Sequence, residues 1–265
     1  MHIGLNITGP RGNKEANRLL SEGHCNFYEI LIDNFFHLDE IKLKESISDN
    51  RISFHIMSSC FLERDIESLK EYGKKIRSLI RLLNPFYVSD HIARFTNEGR
   101  RLLTTFECDY KIIKNMAIER IKIWQDILDH NLYFENFPSI INMGYSQIDF
   151  FSEIVEKTKA GILFDISNAV VAEINTSVKL KDWIPLLNQQ KYFHIGSYSF
   201  HGEKLQIAID SHNTEISDES FEALYLLQQV INKPNNAIVV ERDSNFNYEN
   251  WLADVNKVKK ILCLI

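Results

Sequence analysis

Apolar residues along this chain change period again and again. Short runs of four or five buried-type residues alternate with longer stretches in which apolar positions fall three or four apart. The short runs predict strands at Ile3–Ile7, Phe27–Ile32, Ile52–Ile56, Phe86–Ser89, Asn131–Phe134, Ile162–Ile166, Tyr192–Ile195 and Ala237–Val240. Between them, helices are expected at Lys14–Ser21, near Leu38–Ser46, and from Asp65, where Ile66, Leu69, Ile76, Ile80 and Leu83 share helical spacing until Pro85 stops them. Asp109 caps a long helix carrying Ile113, Met116, Ile121, Trp124 and Leu128. Further helices are expected at Gln147–Thr158, Ala169–Glu173, Leu180–Leu187, from Ser217 to Pro234, and over Tyr248–Leu262.

Eight strand–helix units in 265 residues predict an α/β fold of the (β/α)8 TIM-barrel type, as one domain over residues 1–265. A doubly wound open sheet is the alternative. The sequence holds no glycine-rich dinucleotide or P-loop motif. Two stretches break the rhythm. Residues 93–108, with a turn at Asn97-Glu-Gly99, read as an insertion after the fourth strand, and 196–214 reads as a long polar loop of functional size.

The net charge of −6, without a basic run or stripe, argues against a nucleic-acid partner. No apolar run is long enough for a membrane span. Met1–Thr8 enters a strand-like segment without the basic and apolar regions of a signal peptide. The four cysteines, Cys25, Cys60, Cys108 and Cys263, are widely spaced and read as reduced, mostly buried thiols of a cytoplasmic protein.

In such a barrel the chemistry sits at the carboxyl ends of the strands. Six successive strands end there in a titratable residue: His55, His91, Glu135, Asp165, His194 and Glu241. Any one of them alone would be read as a core histidine or a loop cap. Together they would crowd three imidazoles and three carboxylates into one small volume, where like charges repel and lose solvation. Metal ions are the simplest way to stabilise that set. Asp210 and His212, two apart in a segment expected to be extended, could reach one ion together, and Asn168 could add a neutral oxygen. Nine ligands are too many for one ion, so two or three are implied, and imidazole with carboxylate suits iron, zinc or manganese.

Several stretches carry a resemblance to a known family: Phe54-His-Ile-Met57, Phe61-Leu-Glu-Arg-Asp65, Tyr87-Val-Ser-Asp-His91, Glu135-Asn-Phe-Pro-Ser139, Phe164-Asp-Ile-Ser-Asn-Ala169 and Glu241-Arg-Asp243. In this order, over essentially the whole chain, they resemble the multinuclear non-haem iron-dependent oxidative enzymes, and most of all the methanobactin-forming branch. The resemblance implies a barrel holding two or three irons, Fe(II) and Fe(III), with dioxygen as co-substrate. It implies a heterodimer with a small MbnC-like partner subunit. The implied substrate is a cysteine-containing ribosomal precursor peptide, oxidised to oxazolone plus thioamide. Carried over residue by residue, the ligands would be His55, His91, Glu135, Asp165, Asn168, His194, Asp210, His212 and Glu241, with Glu135 as candidate bridge.

Asp243, two residues past Glu241, is the candidate general base; an ion pair with a nearby Arg or Lys is the plainer reading of that residue. Three rivals stay open from the residues alone: a metal-dependent hydrolase or phosphodiesterase, a sugar isomerase on the same barrel, and a non-catalytic iron-binding scaffold.

Overall fold

Eight short strands place every second side chain inside a closed cylinder. In the computed structural model they are β1 (His2–Ile7), β2 (Phe27–Leu31), β3 (Ile52–His55), β4 (Val88–His91), β7 (Leu132–Glu135), β8 (Gly161–Asp165), β9 (Tyr192–Ile195) and β12 (Ala237–Val240). Their order around the barrel is β1-β12-β9-β8-β7-β4-β3-β2, all parallel, with β1 pairing both β2 and β12. The structure describes the whole chain except Pro10, Ser48, Asp49, Lys204 and Ile265, so Lys204 of the long loop lies outside the described residues.

The two faces of the strands bury different chemistry. Outward residues such as Ile30, Phe54, Phe134, Phe164 and Phe193 join one large apolar core with the surrounding helices. Phe27, Tyr87, Leu163, Tyr192, Ala237 and Val239 form a separate cluster filling the lower barrel. Two residues further along the same strands come Glu29, Asp165, His194 and Glu241, all buried. A strand's period of two therefore stacks a polar layer on an apolar one.

The helices are α1 (Asn13–Ser21), α2 (Glu40–Ile47), α3 (Ile66–Leu83), α4 (Tyr110–Leu128), α5 (Gln147–Thr158), α6 (Ile166–Thr176), α7 (Ile184–Leu187), α8 (Asp218–Ile231) and α9 (Tyr248–Ile261). Asp65, Asp109, Ser146, Ser217 and Asn247 each accept a main-chain N–H at a helix start. The helix expected from Ala169 starts earlier, at Ile166, directly against β8. Asp165 both ends the strand and caps α6, accepting from Asn168 N at 2.7 Å. Asn168 therefore stands in the first turn of a helix.

The two irregular stretches are hairpins. Residues 93–108 hold β5 (Arg94–Asn97) and β6 (Arg100–Phe106), and the stretch read as a polar loop folds into β10 (Tyr198–His201) and β11 (Ile207–Asp210). All four cysteines are free, three of them buried. Among the described residues no helix is long and apolar enough to cross a membrane.

The lower plug is tight at Gly4, where an added Cβ would lie 2.3 to 2.5 Å from three atoms of the Phe27 ring. That ring is fully buried and cannot swing away. Gly4→Ala should cost about 1–3 kcal/mol in urea denaturation, the usual range for overpacking. Pairing it with Phe27→Leu should return part of the loss; full additivity of the two changes would show that the contact is not the cause.

Candidate metal centre

The wall of the polar layer is set by register. His91 lies opposite Glu135, and Asp165 opposite His194. His55 stands one strand over, opposite Ser89. Hydrogen bonds then choose which ring nitrogen faces inward. His91 Nδ1 lies 3.1 Å from the carbonyl of Ile56, which can only accept, so Nδ1 carries the proton. Ser89 Oγ donates to Phe54 O and lies 2.7 Å from His55 Nδ1, so it accepts from that ring. Both rings thereby turn Nε2 inward, and both Nε2 atoms face Glu135 Oε2, at 3.4 Å from His55 and 3.0 Å from His91.

His194 is oriented the other way. Its Nε2 lies 2.8 Å from Glu29 Oε1, while Nδ1 lies 3.1 Å from Glu241 Oε1 and 3.7 Å from Glu135 Oε1. Two groups of donor atoms result, each lying within 4.8 Å of one another: His55, His91 and Glu135, and Glu135 with Asp165, His194 and Glu241. Glu135 belongs to both. On the far side, His212 Nε2 lies 2.7 Å from Asp210 Oδ1, 3.5 Å from Glu241 Oε2 and 3.9 Å from Asp165 Oδ2. This pair converges for a different reason than extended spacing. His212 has a positive φ of 44°, and its N–H donates to Ser197 O, so the chain turns back after β11.

All nine residues expected as ligands thus meet at the carboxyl end of the barrel. Asn168 donates Nδ2 to Glu135 Oε1 and to Asn136 O, which leaves Oδ1 without a partner. Asp243 is also present, at the rim. Its Oδ1 accepts from Asn6 Nδ2 at 2.8 Å, and its Oδ2 lies 3.5 Å from His212 Nδ1. The Arg or Lys partner that was the plainer reading of Asp243 does not occur among the described residues; His212 takes that place. His201 is exposed, beside Ser199, and apart from the cluster.

The donor set fits cations. Asp165 Oδ2, Asn168 Oδ1, His194 Nδ1, Asp210 Oδ1, His212 Nε2 and Glu241 Oε2 are all buried without an aligned hydrogen bond, the histidine nitrogens meeting carboxylates only as ion pairs, and a buried polar atom left so is costly. Protons take up the strain when no cation does. Burial, and then the charges of Glu135 and Glu241, push the Asp165 carboxyl well above the ordinary range. Burial favours a neutral His91, yet Glu135 pushes it up to about 9. Burial and the neighbouring His91 push His55 down to about 4.

Sequence reasoning missed two members of this layer, Asn6 and Glu29. Glu29 lies in mid-strand between Tyr28 and Ile30, 1% exposed, and takes a hydrogen bond from the Tyr87 hydroxyl while facing His194. A charged residue inside an otherwise apolar run was the available signal. Removing a carboxylate that orients a metal-facing imidazole typically weakens metal binding about 10–100-fold. Glu29→Ala should show that loss in competition against a chelator, and Glu29→Gln, which keeps an acceptor, should lie between it and the parent; equal affinity for all three would leave Glu29 a purely structural residue.

Known proteins share the family and the fold of this chain. The chain is 24% identical over 249 residues to a UPF0276 protein of Caulobacter sp., covering 89% of this chain and 88% of the relative. A UPF0276 protein of Psychromonas ingrahamii is 23% identical over 225 residues, covering 82% and 77%. Among solved structures, a D-allulose 3-epimerase from Methylomonas sp. superposes with a TM-score of 0.65 at 13% identity, covering 99% and 98% of the two chains. A xylose isomerase-like TIM barrel protein from Mycobacterium smegmatis, in complex with magnesium, does so with 0.65 at 12%, covering 98% and 96%. At such identities these two show the barrel fold alone. A family model described as RiPP precursor modification enzyme MbnB/TglH/ChrH matches residues 9–263, nearly the whole chain, and the chain belongs to that family.

Proposed function

We propose that this barrel is an iron- and dioxygen-dependent oxidase of the methanobactin-forming kind, acting with a small MbnC-like partner subunit on a cysteine-containing ribosomal precursor peptide. The observation that carries the reading is the convergence of nine side chains on one small volume, six of them with a buried donor atom that lacks an aligned hydrogen bond, in a family that modifies precursor peptides. His55, His91 and Glu135 would hold one ion, and Glu135, Asp165, His194 and Glu241 a second. Asp210 and His212, with Asp165 or Glu241, would serve a third, and Asn168 Oδ1 would add a neutral oxygen beside Glu135. The imidazole-rich set favours iron, zinc or manganese over magnesium. Iron, when bound, would supply a redox couple able to activate dioxygen.

The remaining roles belong to the chain. Glu135 presents one oxygen to each of the first two groups, which suits a bridge. Asn6 and His212 hold the Asp243 carboxylate at the pocket rim. Burial would raise that carboxyl, but His212 and Asn6 prevail and hold it below its usual range; it stands ionised at the rim as the acceptor for the peptide amide proton, a weaker base than an ordinary carboxylate. Oxazolone and thioamide formation together remove four hydrogens from the peptide; one dioxygen takes up the four electrons and leaves as two waters. A sugar isomerase or a hydrolase on the same barrel would need no oxidant, and a scaffold would leave the peptide unchanged.

Metal analysis separates the ligand groups. Glu135→Ala should lose more iron than any single change at His55, His91 or His194, because it serves two groups; full occupancy in that variant would remove Glu135 from the centre. Asp210→Ala combined with His212→Ala should lower iron content by about one ion while the strand-end ions persist. Loss of every ion would show that the sites are not separable.

Reaction class is decided by mass. With the partner subunit and precursor peptide, the reduced iron form should remove about four mass units per modified cysteine in air and none with zinc, which has no second oxidation state. Mass loss under strict anaerobiosis would end the oxidase reading.

A further inference from the structure

The inserted hairpin has one closed edge and one open edge. On β5 the main-chain N–H groups of Phe95 and Thr96 donate to the carboxylate of Glu63, at 3.1 and 3.2 Å, so a side chain occupies that edge. On the other side, β6 pairs only with β5 among the described residues. An edge strand with free main-chain groups is a template for another strand.

An apolar groove of about 680 Å³ runs beside β6, with Phe106, Ile140, Ile141 and Met143 in its walls. These side chains are 43–66% exposed, and a rimmed cluster of large apolar residues facing water marks an interaction site. The groove does not end on the surface. Its inner wall is made by Thr105, Phe137, Pro138 and Asp210, and the same residues line the pocket of the metal centre, which holds about 140 Å³.

That shape selects the occupant. A pocket of this size admits a single side chain, while the groove outside it is several times larger. A flexible chain can lie in the groove and send one side chain inward; a folded surface cannot do both. We infer that β6 receives the precursor peptide as an added strand, with apolar side chains at alternate positions packed in the groove on either side of the residue that enters the metal pocket. This rests on the peptide-modifying reading above. Over Arg100–Phe106 such pairing would span about 20 Å at roughly 3.4 Å per residue, and main-chain bonds would supply affinity while the groove supplies choice of side chain.

The test uses the full chain loaded with iron under anaerobic conditions. The probes are two fluorescein-labelled heptapeptides with a central cysteine, one with leucine at alternate flanking positions and one with aspartate there. Fluorescence anisotropy should give the leucine peptide at least about tenfold tighter binding. Ile141→Asp with Met143→Asp should erase that preference with iron content unchanged. N-methylation of the leucine peptide probes the strand pairing without altering the protein. Methyl groups in one alternating register should weaken binding about tenfold or more, and in the other register much less. Equal effects in both registers, or a leucine preference that survives the two aspartates, would overturn the inference. So would a wild-type dimer that the aspartates disperse, since the groove would then be a contact between copies. The two readings can fail separately. Patterned peptide binding without any modification in air, with the partner subunit supplied, removes the oxidase and leaves the groove, whereas cysteine modification insensitive to these changes removes the groove alone.

Discussion

Mutual repulsion among buried carboxylates is the constraint on which the rest of this molecule depends. Glu135, Asp165 and Glu241 sit within ion-pair reach of one another's imidazole partners, all at most 7% exposed, with Glu29 against the other face of His194. Burying one such charge without compensation would strain a domain whose whole stability is typically about 5–15 kcal/mol. The arrangement holds because imidazoles are interleaved between the carboxylates, and because the unpartnered atoms point at common centres where cations would sit. Helix packing, capping and the apolar shell supply the stability against which this polar layer is maintained.

The geometry follows from a period of two imposed on eight strands. Phe27 and Glu29, Leu163 and Asp165, Tyr192 and His194, Val239 and Glu241 are the same step repeated, apolar below and polar above. Registers between neighbouring strands turn four sequence-distant steps into one layer. Elements outside the barrel then finish the site: the turn after β11 swings His212 inward, and the first turn of α6 brings Asn168 beside Glu135.

Much of this was legible in the sequence because strand ends carry their own punctuation. A titratable residue after a short apolar run, as at Phe54-His55, Phe134-Glu135 or Phe193-His194, states both its element and its position. Glu29 was not legible in that way, since it lies before the end of its strand and its partners His194 and Tyr87 are far away in sequence. Asn6 looks like an ordinary polar residue until the register sets it opposite Glu29. The pairing of Asp210 with His212 was foreseen, though on a wrong backbone: a positive φ, which histidine adopts only under constraint, cannot be read from spacing. The hairpin β10–β11 was hidden because each strand is only four residues long and buries just one of them, Tyr198 and Ala208, while Phe200 and Ile209 face water.

The aromatic plug beneath the centre has a consequence for traffic. Tyr87 and Tyr192 stack at 4.1 Å between centroids, and with Phe27 and Leu163 they fill the barrel below the polar layer. A cylinder stoppered at one end has a single doorway. A bulky molecule entering from the open end passes Thr105, Phe137 and Asp210, which line the pocket, and a bulky product leaves past them. Arrival and departure are therefore mutually exclusive for any bulky guest, and a product that lingers keeps the next substrate out.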